Sequence, residues 1–193
     1  MAKVREKTEI LLAFGGNLPS LAGPPEATIH AAVANLQSRG FDLMALSALY
    51  RTPAVTLDAD TVSPAYVNAA ARMRADMSAV GVLLATQEVE REFGRQPAAR
   101  WTARPLDIDL LAFGSAVLPG RAQWQAVATS ADPAAILPEP VVPHPRLHLR
   151  GFVLAPLLDI APDWSHPVLG QTVRQLAQVA QGTGAFDGVE KLA

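Results

Sequence analysis

The chain contains no cysteine. That excludes disulfides, thiolate metal sites and a cysteine nucleophile, and it fits a reducing compartment such as the cytoplasm. No run of about eighteen apolar residues occurs, so no membrane-spanning helix is expected. Charge is scarce, at 18% Asp, Glu, Lys and Arg against an ordinary share of about a quarter. The net charge of −2 gives no electrostatic case for nucleic acid. There is no internal repeat and no heptad pattern. The N-terminal residues mix both charge signs ahead of a short apolar run that breaks at Gly15-Gly16, which reads as a polar lead into a strand rather than a signal peptide. What is plentiful is apolar side chain, 50% of 193 residues, enough for one sizeable core. Residues 1–193 are expected to form a single domain with an ordered core of about 9–181.

The chemistry concentrates between Arg95 and Asp109. Arg95, Arg100 and Arg104 supply cations, and Asp107 and Asp109 follow with Ile108 between them. On a strand, side chains alternate faces, so both carboxylates project from one face while Leu106, Ile108 and Leu110 project into a core. Paired carboxylates repel unless solvated or neutralised. A divalent cation neutralises them, and oxygen ligands favour magnesium or manganese. Arginines beside such a metal suit a polyphosphate, because guanidinium forks match phosphate oxygens. The competing reading is a solvated strand end with surface salt bridges.

Periodicity supplies the frame. Glu9–Phe14 reads as a strand ending at Gly15-Gly16-Asn17. Pro24-Pro25 opens a helix whose Ile29, Val33 and Leu36 share a face, closed by Gly40. Phe41–Thr52 reads as one strand with Met44, Leu46, Ala48 and Tyr50 on a common face. Tyr66–Met73 is a third strand, with Tyr66 and Asn68 on one face at its mouth. Ser78 caps a helix with a Val80, Leu83 and Leu84 stripe, stopped by Gly94; Gln87 and Glu90 are neighbours on its last turns. Leu106–Phe113 is the fourth strand. Trp124–Glu139 has no readable pattern. Phe152–Ile160 reads as a short helix or turn, Thr172–Ala180 as a closing helix, and 182–193 as a frayed tail. The β-α-β-β-α-β order is that of a ferredoxin-like α+β domain, with a largely antiparallel sheet that can carry helices on one face and leave the other open.

Seven pieces occur in sequence: FGGN at Phe14–Asn17, YRTP at Tyr50–Pro53, YVNAA at Tyr66–Ala70, FGR at Phe93–Arg95, RW at Arg100-Trp101, RPLDIDLL at Arg104–Leu111, and PHPRLHLRGFVLAPL at Pro143–Leu157. Together they resemble the 6-hydroxymethyl-7,8-dihydropterin pyrophosphokinases of folate biosynthesis. The resemblance implies a ferredoxin-like core within a three-layer α/β/α sandwich. It implies pyrophosphoryl transfer from ATP to the pterin hydroxymethyl group, with AMP released. Two Mg2+ ions would be held by Asp107 and Asp109. Arg95 and Arg104 would be catalytic, on a mobile loop shared with Arg100 and Trp101. Gln87, Ile108, His144 and Arg150 would join these arginines and Trp101 around the nucleotide. Thr52, Pro53, Tyr66, Asn68 and Phe152 would bind the pterin, and Glu90 would support the centre. The implied enzyme is cytoplasmic, a monomer or weak homodimer, without nucleic-acid or membrane partners. One departure is Gly16, where serine is usual, and Pro97 stiffens the arginine loop. The alternative class is a ferredoxin-like single-stranded RNA-binding module without catalysis; carboxylates on the inner strands would repel an RNA backbone.

Overall fold

The computed structural model describes residues 6–54, 64–96, 103–130, 132 and 137–192. Arg100 and Trp101, together with Pro97, lie outside the described residues. Six strands form one sheet: β1 (Thr8–Gly16), β2 (Asp42–Leu46), β3 (Tyr50–Thr52), β4 (Tyr66–Ala75), β5 (Asp107–Phe113) and β6 (Glu190–Lys191). The order is β5-β1-β4-β3-β6, with β2 also pairing β4. All these pairings are antiparallel. Gly15 stands opposite both Asn68 and Asp107, so the mouths of β1, β4 and β5 meet.

Helices α1 (Pro25–Ser38) and α2 (Ala79–Glu92) cover one face. Ile29, Val33 and Leu36 join Val82 and Val89 against Ile10, Leu12, Leu106 and Ile108. Each such buried aliphatic contributes about 1.5–3 kcal/mol. Helices α4 (Gly151–Ile160) and α5 (Val173–Gln181) cover the other face, where Leu154, Leu157 and Leu176 pack on Leu11, Ala70 and Leu111. The strand order therefore gives a three-layer α/β/α sandwich. The expectation of an open second face is corrected: α4 and α5 are apolar enough to close it.

Local signals act as the residue types require. Ser78 Oγ accepts from Gly81 N at 3.1 Å, and Thr172 with Gln175 forms a reciprocal capping box on α5. Three expectations fail, and one unplaced stretch is resolved. Phe41–Thr52 is two strands, parted after Leu46 where Ser47 Oγ accepts from Ala70 N of β4 at 2.9 Å; within β2 a register slip between Leu43 and Ala45 also breaks the alternation and leaves Met44 half exposed. The buried side of α2 is Ala79, Val82, Thr86, Val89 and Glu90, while Val80 and Leu84 face solvent. The unplaced stretch begins in helix α3 (Arg121–Ala128), anchored by buried Trp124. The tail is not frayed: Lys191 pairs with Tyr50 and Glu190 with Arg51. Among the described residues no helix is long and apolar enough to cross a membrane.

Candidate active site

The site is built where α2 hands the chain to the arginine-rich loop. Gly94 adopts positive φ, and its N–H bonds Arg91 O at 3.1 Å while Arg95 N bonds Glu90 O at 2.9 Å. This 6→1 and 5→2 pair is a Schellman ending, for which glycine is suited. It folds Arg95 back over Glu90, and the guanidinium bonds the Glu90 carboxylate. Arg95 Nη1 also lies 2.7 Å from Asp107 Oδ1, and Arg104 Nη1 3.2 Å from the same oxygen.

Glu90 is buried, and its Oε1 accepts from Ile108 N at 2.7 Å. Burial pushes its carboxyl up to about 7, against the pull of that amide and of Arg95. Asp107 is raised too, by burial and then by Asp109. The strand alternation holds as expected: Leu106, Ile108 and Leu110 are buried in the first core, while Asp107 and Asp109 stay one-third and 38% exposed on the other face. Arg150 Nη1 is 3.8 Å from Asp109 Oδ2, and its guanidinium carbon lies 5.6 Å from the Phe152 ring centre. Six of the seven charged residues expected at the centre, Glu90, Arg95, Arg104, Asp107, Asp109 and Arg150, thus meet at the mouth of β5; the seventh, Arg100, lies outside the described residues. Gln87 Nε2 reaches a carboxylate oxygen of Glu139 at 3.5 Å.

Asp107 and Asp109 fit a hard divalent cation. They are neighbouring oxygen donors whose mutual repulsion already disfavours ionisation of Asp107. Among the described residues no group of three or more His, Asp or Glu is placed to hold a metal ion.

His144 is fixed through its backbone. Its N–H bonds Leu111 O at 2.8 Å, and its Nδ1 accepts from Arg146 N at 3.1 Å. Burial, then Arg150, holds the imidazole well below its ordinary value. The ring is therefore neutral and presents Nε2–H as a donor. On β4, Asn68 is buried and donates to Thr52 Oγ1 at 2.9 Å. Tyr66 is near enough to Arg104 and Asp107 to feel both charges, and burial raises its phenol.

Two residues were not given roles by the sequence. Asn17 is buried; its Oδ1 accepts from Arg104 N at 2.8 Å, its N–H bonds Arg104 O at 3.0 Å, and its Nδ2 reaches Pro64 O at 3.2 Å. It grips the strand-side end of the arginine loop. Its signal was present in FGGN, a polar residue directly after two glycines at a strand end. Trp124 donates from Nε1 to Pro143 O at 2.5 Å, behind His144; a lone tryptophan in an alanine-rich stretch was its only mark. Gly16 is explained by contact: a Cβ there would stand 2.3 Å from Pro105 O, so this backbone has no room for the usual serine.

The family model described as 7,8-dihydro-6-hydroxymethylpterin-pyrophosphokinase (HPPK) matches residues 11–162. A 2-amino-4-hydroxy-6-hydroxymethyldihydropteridine pyrophosphokinase of Pseudomonas aeruginosa is 31% identical over 183 residues, 95% of this chain and 96% of that one. One from Synechocystis is 30% identical over 177 residues, 91% of this chain and 78% of that one. A structure of Plasmodium falciparum HPPK-DHPS wild type with pteroate is similar in fold, with a TM-score of 0.67 at 12% identity. That match covers 98% of this chain and 48% of that one, so the chain spans about half of the Plasmodium protein.

Proposed function

The chain belongs to the 7,8-dihydro-6-hydroxymethylpterin-pyrophosphokinase family, and from that premise we propose that it transfers pyrophosphate from ATP to the hydroxymethyl oxygen of 6-hydroxymethyl-7,8-dihydropterin. The hydroxyl oxygen attacks the β-phosphorus, the bond from that phosphorus to the α-phosphate bridging oxygen breaks, AMP leaves, and the hydroxyl proton passes to solvent. The observation that carries the reading is the meeting of Asp107 and Asp109 with Arg95, Arg104 and Arg150 at one strand mouth.

Asp107 and Asp109 would hold two Mg2+ ions, with phosphate oxygens and water as further ligands. Magnesium bound there supplies charge neutralisation for the triphosphate and polarisation of the acceptor hydroxyl. The remaining work falls to the chain. Arg95 and Arg104 neutralise Asp107, and the same guanidiniums would serve the phosphates, where charge develops. Arg104, paired with Asp107, would act in the transition state, so Arg104→Ala is expected to cut turnover more than ATP affinity. Neutral His144 donates from Nε2, and Arg150 adds a cation on the far side of Asp109. Gln87 and the main chain at Ile108 would join the nucleotide side, as would Arg100 and Trp101, which lie outside the described residues.

The pterin needs aromatic faces and a polar edge. Tyr66 and Phe152 would supply the faces, Asn68 the edge, and Thr52 and Pro53 the adjoining main chain. The Asn68–Thr52 bond fixes the amide, leaving Oδ1 to accept from the pterin ring.

The test is AMP release with magnesium, ATP and the pterin, beside a control without pterin. AMP that forms only with the pterin supports the reading. ADP would mean attack at the γ-phosphorus, and ATP binding without turnover would mean a wrong acceptor.

A further inference from the structure

The tail read from sequence as frayed touches both walls of the candidate pterin subsite. After α5 the chain doubles back, with Thr183 N and Ala185 N both bonding Ala180 O at 3.1 Å. Ala185 then lies on the start of α4. A Cβ on Gly151 would stand 2.0 Å from Ala185 O and 3.0 Å from Phe186 Cα, so the tail lies flush on the residue preceding Phe152. Phe186 and Phe152 both pack against the second core. Two residues further, the tail reaches β3: a Cβ on Gly188 would stand 2.7 Å from Pro53 Cγ.

The tail ends by pairing with β3, and Leu192 N bonds Leu49 O at 2.8 Å. Lys191 Nζ reaches the two carboxylate oxygens of Asp159 at 3.0 and 3.2 Å. Asp159, in the last turn of α4, also accepts from Tyr50 Oη at 3.1 Å and Ala48 N at 3.2 Å. One short segment therefore grips α4 at both ends and β3 between them.

We propose that residues 185–192 are a strap that sets the spacing between Thr52-Pro53 and Gly151-Phe152, and thereby positions the subsite for the acceptor ring without acting on the nucleotide. The inference rests on the assignment of Thr52, Pro53 and Phe152 to the pterin. The two walls come from stretches about a hundred residues apart in the chain. The strap meets them at Gly151 and Gly188, where neither residue has room for a Cβ, and a flat ring held between two walls is sensitive to their separation.

The test uses Phe186→Ala and Lys191→Ala in the full chain, reading the pterin KM, the Kd of a non-hydrolysable ATP analogue and thermal stability. Phe186→Ala is expected to raise the pterin KM about tenfold and Lys191→Ala about threefold, with the nucleotide Kd within twofold of the parent. Lys191 is exposed, so its variant folds even if loss of Phe186 proves disruptive. A pterin KM unchanged in the folded variants, or both affinities falling together, overturns the strap. Asn68→Ala separates the two failures. If it too leaves the pterin KM unchanged, the subsite assignment falls and the strap with it; if it raises the KM while the strap variants do not, the strap alone is wrong.

Discussion

Ile108 N donates to Glu90 Oε1 at 2.7 Å, so the amide lodged between Asp107 and Asp109 is held by a buried carboxylate on α2. One side chain thus links the helix end, Arg95 and the strand that carries Asp107 and Asp109.

That placement gives stability a pH signature. The Glu90 carboxyl is raised by burial from 4.5 to about 7, so between those values the folded state binds more protons than the unfolded state. Stability therefore falls as pH rises through this window, by on the order of 3 kcal/mol. Glu90→Gln removes the titration and keeps an acceptor for Ile108 N. Urea midpoints of the ligand-free protein at pH 4.5 and pH 8 should show the variant gaining on the parent only at the higher pH. An equal gap at both pH values would rule the cause out.

Asp107→Asn should leave the fold intact, because Asp107 lies at the solvent-facing mouth of β5 and not within either core. Turnover should fall roughly a thousandfold, the scale of losing a charged metal ligand worth several kcal/mol. AMP release at saturating magnesium, with far-ultraviolet circular dichroism on the same sample, checks it. A parent-like rate would remove Asp107 from the metal site.

Gly16→Ser should push on Pro105, whose carbonyl oxygen would stand 2.3 Å from the new Cβ. Overpacking costs about 1–3 kcal/mol, and moving Arg104 by ~1 Å can cost about a hundredfold in rate. The expected result is a lower melting temperature with a larger loss in kcat than in ATP affinity. Parent-like values for both would mean that the Pro105 carbonyl yields freely.

Trp124→Phe keeps a ring in α3 but strips Pro143 O of its donor. An orphaned buried carbonyl costs about 1–3 kcal/mol, and the strain falls on the segment holding His144. The ATP KM should rise about fivefold with the pterin KM unchanged. A rise in both would mark Trp124 as general scaffold.

The strand β5 and its paired carboxylates were legible because their pattern is local. Alternation alone placed Leu106, Ile108 and Leu110 inward and Asp107 and Asp109 outward. Caps at Ser78 and Thr172 were equally local. What stayed hidden depended on partners far along the chain. The α2 stripe was misread because Thr86 and Glu90 are buried by tertiary contacts, while Val80 and Leu84 are left outside. The Leu43/Ala45 slip exists only against β4. The tail is polar and glycine-rich, and nothing in its own residues announces the contacts with Gly151 and Pro53. Asn17 was in view, but its role needs Arg104, which lies 87 residues away.

β5 is the last strand at one side of the sheet. A bare edge carries unpaired backbone groups that can recruit another chain. Here Ile108 N is taken by Glu90 and Leu111 O by His144 N, so side chain and loop occupy places that a foreign strand would use. The two aspartates can therefore stand at a wet margin of the molecule without that margin becoming a template for self-association.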